Sequence, residues 1–127
     1  MILLLDTSTP TCRVTLVSDV ETEYEWEAGR GLAKDLLGFL EESLAKSGAT
    51  FQDLTGLGVF RGPGSFTGLR IGITVMNTLA QSLSIPIVGE LEEDWKTKVL
   101  SRLEFQQNGQ IVLPEYGGEA HITTPRK

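Results

Sequence analysis

Apolar and polar residues alternate along this chain with two different periods, and the change of period divides it into strands and helices. Ile2 to Leu5 is a continuous apolar run that ends in the polar turn from Asp6 to Pro10, which is typical of a buried strand. Strict alternation follows from Thr11 to Ser18 and resumes after Asp19, where acidic residues occupy one face. The sequence thus predicts three successive strands in an antiparallel meander, with the third strand near a sheet edge.

The period changes to that of a helix between Leu32 and Ser47. Apolar residues there cover an arc of roughly 160° in helical projection, wider than the ~100° stripe that packing on one side requires. We assign the part of the arc with Leu37 and Leu44 to the sheet. The opposite edge of the arc is expected to meet either another part of this chain or a partner, and it comprises Leu32, Leu36 and Phe39.

A short strand from Gly56 to Phe60 leads through a glycine-rich loop into a second helix, predicted from about Ser65 to Ser82. The polar side of this helix is narrow, so we expect it to be covered on more than one side. Gly68 and Gly72 lie one turn apart and leave room for another backbone to approach. A fifth strand at Ile85–Gly89, parallel to the fourth, completes a βαβ unit.

A third helix is predicted after the fifth strand, because the apolar stripe from Leu91 to Leu103 follows helical spacing. We therefore expect residues 1–105 to form one domain that ends in this helix. Residues 106–127 are predicted to hold a short strand at Ile111–Leu113 and an extended polar tail.

Composition narrows the range of functions. The 127 residues include 11 Lys and Arg against 17 Asp and Glu, a formal net charge of −6, without a basic block. Such a chain is not expected to bind a nucleic-acid backbone tightly by itself. Cys12 and His121 are single residues of their types, which leaves little for a disulfide or a metal site. The apolar start is too short for a signal peptide or a membrane span, so we expect a cytoplasmic protein.

The glycine-rich loop is the segment most similar to a phosphate-binding motif. It lacks the Gly-Lys pair of a P-loop, and Thr67 stands where the G-x-G-x-x-G fingerprint has its third glycine. Backbone N–H groups at the start of the second helix leave anion binding open, while the alternative is that the glycines serve a tight turn and close packing. The loop comprises Arg61, Gly62, Pro63, Gly64, Ser65, Phe66, Thr67 and Gly68.

Asp6 and Cys12 each admit a chemical and a structural role. A carboxylate at the end of the first strand would orient Mg²⁺ and a nucleotide, or it would accept hydrogen bonds in an Asx turn. Cys12 is a candidate nucleophile, but its place in the alternation puts it on a buried face, as is typical of a core thiol. Residue types and spacing alone assemble no catalytic constellation.

Two segments of the chain, Ile2–Ser8 and, far more specifically, Arg61–Gly72, match a known family, and Ile85–Gly89 continues the match in register. They resemble the TsaB (YeaZ) family, the dimerisation subunits of the bacterial tRNA threonylcarbamoyladenosine biosynthesis complex. The resemblance implies an α/β fold: a single actin-like ATPase lobe of ribonuclease-H-like type. It implies a mixed five-stranded sheet of order β-β-β-α-β-α-β, followed by a C-terminal helix and tail.

The resemblance also implies a non-catalytic adaptor that binds a TsaD-like transferase and supports threonylcarbamoyladenosine modification of tRNA. A TsaE-like ATPase joins that assembly, and ATP and metal are expected in the partner subunits rather than in this chain. Docking is expected through the first two helices. The residues expected to contact the partner are Leu32, Leu36, Phe39, Ile73, Met76 and Asn77.

Two other interpretations stay open. One is a nucleotide-dependent phosphotransferase or hydrolase of the actin-like superfamily that uses Asp6 and the glycine-rich loop, and the other is a homodimer in which the two helices pair across a two-fold axis. The chain departs from the family pattern at Leu32–Lys34, where a His-Ser-Glu-like motif is usual, and at Phe60, where a small residue is usual. Few residues follow Gly89, so we expect most of the family's second lobe to be missing.

Overall fold

A five-stranded mixed sheet organises residues 1–104, the part of the chain that this computed structural model describes. The sheet has the spatial order β3-β2-β1-β4-β5. Its strands are β1 (Ile2–Asp6), β2 (Thr11–Val17), β3 (Glu21–Glu27), β4 (Gly56–Phe60) and β5 (Ile87–Glu90). The helices are α1 (Leu32–Lys46), α2 (Phe66–Leu83) and α3 (Trp95–Glu104), with short 3-10 turns at Gly29–Gly31 and Phe51–Asp53.

Strand directions confirm both supersecondary motifs that the sequence predicts. β1 and β3 each pair with β2 in antiparallel fashion, which makes the meander, whereas β4 is parallel to β1 and β5 is parallel to β4. β3 lies at one edge of the sheet with its glutamates exposed, while Tyr24 and Trp26 are half-buried. The predicted strand at Ile111–Leu113 and the tail that follows it lie outside the described residues.

The two faces of the sheet carry separate cores, because successive residues of a strand point to opposite sides. Leu3 and Leu5 of β1 face α1 and α2, while Leu4 faces α3. β1 is therefore covered on both sides, which explains why it is an uninterrupted apolar run rather than an alternating one. Within the described part of the chain, no helix combines the length and hydrophobicity needed to cross a lipid bilayer.

Three predicted starts of elements shift for local reasons. β5 begins at Ile87 rather than Ile85, because Pro86 has no N–H to donate to a neighbouring strand. α2 begins at Phe66, because Ser65 is its N-cap and the Ser65 hydroxyl accepts a hydrogen bond from the Gly68 N–H at 3.2 Å. α3 begins at Trp95 rather than near Leu91, because Glu92 adopts a φ of 72°, which is incompatible with a right-handed helix. Leu91 is half-buried ahead of the helix.

The face that α1 turns to the core differs from the expectation. Leu37, which we assigned to the sheet, is 51% exposed. The 100° step between neighbouring helical residues turns Leu37 away once Leu36 is buried. The edge of the arc with Leu32 and Leu36 therefore meets another part of this chain, which is the first of the two alternatives considered for it. The buried row of α1 comprises Leu32, Leu36, Leu40 and Leu44, which follow i, i+4 spacing and are at most 6% exposed.

The remaining residue of that predicted edge, Phe39, packs within the chain as well. Its ring lies against Trp26 of β3, with 5.1 Å between the ring centroids. The Tyr24 hydroxyl lies 2.8 Å from the Ser47 hydroxyl at the end of α1. The half-buried side of the edge strand is thus covered by α1, so the wide apolar arc of this helix serves contacts with β3 as well as with α2 and the rest of the sheet.

Gly58 sets how closely α3 approaches the sheet. A Cβ at Gly58 would overlap Val99 of α3 and would lie 2.6 Å from Leu4 Cδ2. We expect Gly58→Ala to lower the free energy of unfolding by about 1–3 kcal/mol, because β4 and α3 must move apart. Gly38→Ala is the control: no atom lies within 4 Å of its Cβ position in α1, so this change should raise stability by up to ~1 kcal/mol. Urea denaturation measures both, and equal effects of the two changes would contradict the close packing.

Candidate functional site

The glycine-rich loop, Arg61–Gly68, lies against the turn that follows β1. The Ser65 N–H donates a hydrogen bond to the Ser8 carbonyl at 2.8 Å. The Thr7 hydroxyl donates to the Gly68 carbonyl at 2.7 Å, and Thr7 is only 1% exposed. The loop and the start of α2 are therefore bound to the backbone of the chain itself.

Three glycines allow this contact. A Cβ on Gly64 would overlap Ser8, and a Cβ on Gly68 or Gly72 would overlap Thr7. At Gly68 the atom in the way is the Thr7 backbone carbonyl, which cannot rotate aside as a side chain can. The predicted approach of another backbone at Gly68 is therefore confirmed, and that backbone belongs to this chain. The glycine spacing serves close packing, the second of the two roles that we considered for the loop.

The first half of the loop is held from the other side by the segment that leaves β5. The Arg61 N–H donates to the Glu90 carbonyl at 2.9 Å, and the Gly62 carbonyl accepts from the Glu92 N–H at 3.1 Å. Gly62 adopts a φ of 123°, which favours glycine, and the Gly62–Pro63 peptide bond is cis. Both ends of the loop are thus connected to neighbouring parts of the sheet.

Asp6 forms the Asx turn that was one of its two predicted roles. Its Oδ1 atom accepts hydrogen bonds from the Ser8 N–H at 2.8 Å and from the Ser8 hydroxyl at 2.6 Å. Among residues 1–104, no three His, Cys, Asp or Glu side chains lie together in an arrangement that could hold a metal ion. A nucleotide-binding role for Asp6 stays a prediction.

Cys12 has the properties of a core thiol. It is fully buried in the core between the sheet and the two helices α1 and α2. Burial, together with the smaller effect of the negative charge of Asp6, raises the pKa of the Cys12 thiol to about 12. Because the thiolate is the nucleophilic form, this side chain is inert at neutral pH.

Most residues that we expected to contact a partner are inside the molecule. The assumption that they form a free surface is wrong for four of them, because α1 and α2 pack through these side chains on each other and on the sheet. Phe39 and Asn77 are half-buried. The four buried residues are Leu32, Leu36, Ile73 and Met76, with exposures of 6%, 0%, 3% and 0%.

The exposed apolar surface of the two helices lies beside these residues. Leu37 of α1 and Phe66 of α2 are each 51% exposed. Two adjoining cavities of about 550 Å³ and 490 Å³ share Thr67 and Ile71 and form what we call the α1–α2 groove. Leu37 lies one turn beyond Ala33 on the same face of α1. The groove is lined by Ala33, Phe66, Arg70, Ile71, Thr74 and Val75.

Sequence reasoning missed Leu37 and Phe66, although a signal for Leu37 was present. The row that starts at Leu32 is leucine at every fourth position, as expected for a helix face buried along its whole length. The row through Leu37 instead continues to Glu41, which marks it as a face that meets water. No comparable signal existed for Phe66, because its exposure depends on where Ser65 caps the helix.

Together, the strand order, the βαβ unit and the helices on both faces define the class: an α/β lobe of the actin-like, ribonuclease-H-like type. Residues 24–91 match a family model described as TsaD: tRNA N6-adenosine threonylcarbamoyltransferase. The chain is 32% identical over 126 residues to the tRNA threonylcarbamoyladenosine biosynthesis protein TsaB of Escherichia coli, which covers 91% of this chain and 54% of that protein. The TsaB of Haemophilus influenzae is 39% identical over 88 residues, covering 68% of this chain and 37% of its own length.

Solved structures agree with these relatives. YeaZ from Pseudomonas aeruginosa superposes with a TM-score of 0.66 at 33% sequence identity, over 72% of this chain and 43% of that one. The chain therefore belongs to the TsaB (YeaZ) family, within the wider family that the TsaD model describes. It spans about half the length, or less, of the curated relatives that it matches.

The Asx turn predicts how substitutions at Asp6 behave. Asn keeps an Oδ1 acceptor for both hydrogen bonds from Ser8, so Asp6→Asn should cost about 1 kcal/mol of stability or less. Asp6→Ala removes the acceptor and should cost about 1–3 kcal/mol. Urea denaturation separates the two variants. Calorimetric titration of both proteins with ATP and Mg²⁺ is the control. If the wild-type chain binds ATP and Asp6→Asn does not, the purely structural role of Asp6 is contradicted.

Burial of Cys12 predicts a pH dependence of stability. Because the pKa of Cys12 is higher in the folded chain than in the unfolded chain, its contribution to stability is complete below about pH 9 and is lost as the pH rises towards 12. At about pH 10.5 the loss should amount to about 2 kcal/mol relative to neutral pH. Urea denaturation at several pH values in this range measures the free energy of unfolding, which should fall less steeply with pH for Cys12→Ala than for the wild type. Equal slopes for the two proteins would rule out a contribution of Cys12.

Proposed function

We propose that this chain is a non-catalytic adaptor that binds a TsaD-like transferase and supports threonylcarbamoyladenosine modification of tRNA. The observation that carries the proposal is the exposed apolar groove between α1 and α2 in a chain of the TsaB (YeaZ) family. The relatives from Escherichia coli and Haemophilus influenzae are named as biosynthesis proteins, and the matching family model is named for the transferase. These names support a role for this chain in the same biosynthetic process.

The absence of catalysis in this chain is part of the proposal. It is supported by the structural roles of the residues that could otherwise bind a nucleotide or act as nucleophiles. Asp6 accepts hydrogen bonds from Ser8, the glycines pack on Thr7 and Ser8, and burial raises the pKa of Cys12 to about 12. We therefore assign ATP and metal to the partner subunits, including a TsaE-like ATPase that joins through the complex.

The groove suits a protein partner because large apolar side chains are exposed in it (Phe66) and one helical turn from it (Leu37). Leu37 and Phe66 are each half-exposed, so covering either one would contribute roughly 1 kcal/mol. Residues of this kind at the centre of an interface commonly act as hot spots. This surface replaces the buried set inferred from the sequence, while the two helices that carry it are the same.

A second copy of this chain is an alternative occupant of the same groove. Two copies would bury Leu37 and Phe66 across a two-fold axis, and a transferase would then have to displace one copy. The homodimer and the complex with the transferase are thus compatible, since both use one surface. Sedimentation velocity of the isolated chain, at concentrations above and below about 10 µM, distinguishes a self-associating chain from a monomer.

Substitutions in the groove test the docking surface. We expect Leu37→Asp and Phe66→Asp each to weaken binding to the TsaD-like transferase of the same organism by tenfold to hundredfold, roughly 1–3 kcal/mol. Val20→Asp is the matched control, because Val20 is an apolar residue that is 68% exposed in the turn between β2 and β3. Surface plasmon resonance measures the affinities, after circular dichroism has shown that each variant is folded. If the two groove variants bind like the wild type, the partner docks elsewhere.

A further inference from the structure

The α1–α2 groove has a positively charged rim in a chain whose net charge is −6. Arg30 and Arg70 line its two cavities, and Lys34 follows Ala33 on α1. All three cations are exposed, and within residues 1–104 none of them forms an ion pair. Other cations do pair with carboxylates, among them Arg13, Lys96, Lys98 and Arg102.

The surroundings of the groove add to this positive potential. α1 and α2 both begin beside the two cavities, so the partial positive charges of both helix N-termini lie there. α2 contains no acidic residue, and the carboxylates of α1 nearest in sequence to Ala33 and Leu37 are Asp35 and Glu41. Neither of these two lines either cavity. The charged side chains that line the two cavities, Arg30 and Arg70, are therefore both cations, although the net charge of the chain is −6.

We infer that the segment of the partner that occupies the α1–α2 groove is acidic as well as apolar. Its apolar side chains pack on Phe66 and Ile71, and its carboxylates lie opposite Arg30, Lys34 and Arg70. This inference rests on the proposed function, because it specifies the chemistry of the transferase surface that docks there.

The cations of the rim would attract and orient an acidic partner during association. An acidic partner is repelled by most of the surface of a chain with a charge of −6, but it is attracted to this one region. Charges at the rim of an interface act mainly on the association rate and on the orientation of the encounter, and they contribute less to the final affinity. The rim would thus direct the partner to the groove, and the apolar contacts with Leu37 and Phe66 would then hold it there.

A protein segment explains the groove better than a tRNA backbone does. Proteins that bind nucleic acid through phosphates commonly neutralise six to ten or so of them, and this rim offers three cations. The cavity beside Arg70 has a mainly apolar lining of Ala33, Phe66, Ile71 and Val75, to which Thr67 and Thr74 add hydroxyl groups. Unmodified tRNA is therefore the competing ligand in the test.

Paired charge reversals test the inference. We expect Arg30→Glu combined with Arg70→Glu to slow association with the purified TsaD-like transferase about tenfold at about 50 mM salt, and to have little effect at about 0.5 M salt, where the charges are screened. Lys46→Glu combined with Lys98→Glu is the matched control. It changes the net charge equally but lies at the end of α1 and on α3, so association should stay within about twofold of the wild type. Replacing Arg30 and Arg70 by Gln should give a smaller loss than replacing them by Glu.

The outcomes distinguish this inference from the proposed function on which it rests. Equal association rates for the two charge-reversed variants would overturn the acidic-segment inference. If Leu37→Asp and Phe66→Asp still weaken binding as expected above, docking in the groove stands. If those variants also bind normally, the transferase docks elsewhere on the chain, whereas a wild-type chain that does not bind the transferase would overturn the proposed function. Fluorescence anisotropy with unmodified tRNA completes the test, because reversals that weaken tRNA binding but leave transferase association unchanged would assign the rim to RNA.

Discussion

The close contact between α2 and the turn after β1 is the constraint on which the rest of the structure depends. The Thr7 side chain and carbonyl fill the space beside Gly68 and Gly72, and the Thr7 hydroxyl is bonded back to the Gly68 carbonyl. α2 therefore has one position relative to β1. α1 packs against α2 and the sheet, so the depth and direction of the α1–α2 groove follow from that position.

The same contact links the fold to its function. A glycine-rich turn before a helix is a common way to expose backbone N–H groups to a phosphate, but here the glycines admit Thr7 and Ser8 instead. The glycines of the loop thus serve packing and hydrogen bonding within the lobe. What the lobe offers to other molecules is the outer face of α1 and α2, where apolar side chains lie within a positively charged rim.

The opposite face of the sheet is closed by α3. Gly58 allows Val99 to approach β4, and Phe60 packs against Trp95 with 5.5 Å between the ring centroids. β1 is consequently enclosed on both sides, as its unbroken apolar pattern predicted. The lobe therefore has a closed core on each side of the sheet, and a partner in the α1–α2 groove would disturb neither core.

Local patterns by themselves determined the strands, the helices, the edge position of β3 and the family, because each of these depends on periodicity or on a contiguous motif such as Arg61–Gly72. They did not determine how α1 is rotated. An apolar arc of roughly 160° is wide enough for either Leu36 or Leu37 to face the sheet. The uninterrupted leucine row favours Leu36, and packing against α2 and β3 buries it. Tertiary structure also brought Arg30 and Arg70 to one groove, since residues far apart in sequence become neighbours only when the helices that carry them are packed together.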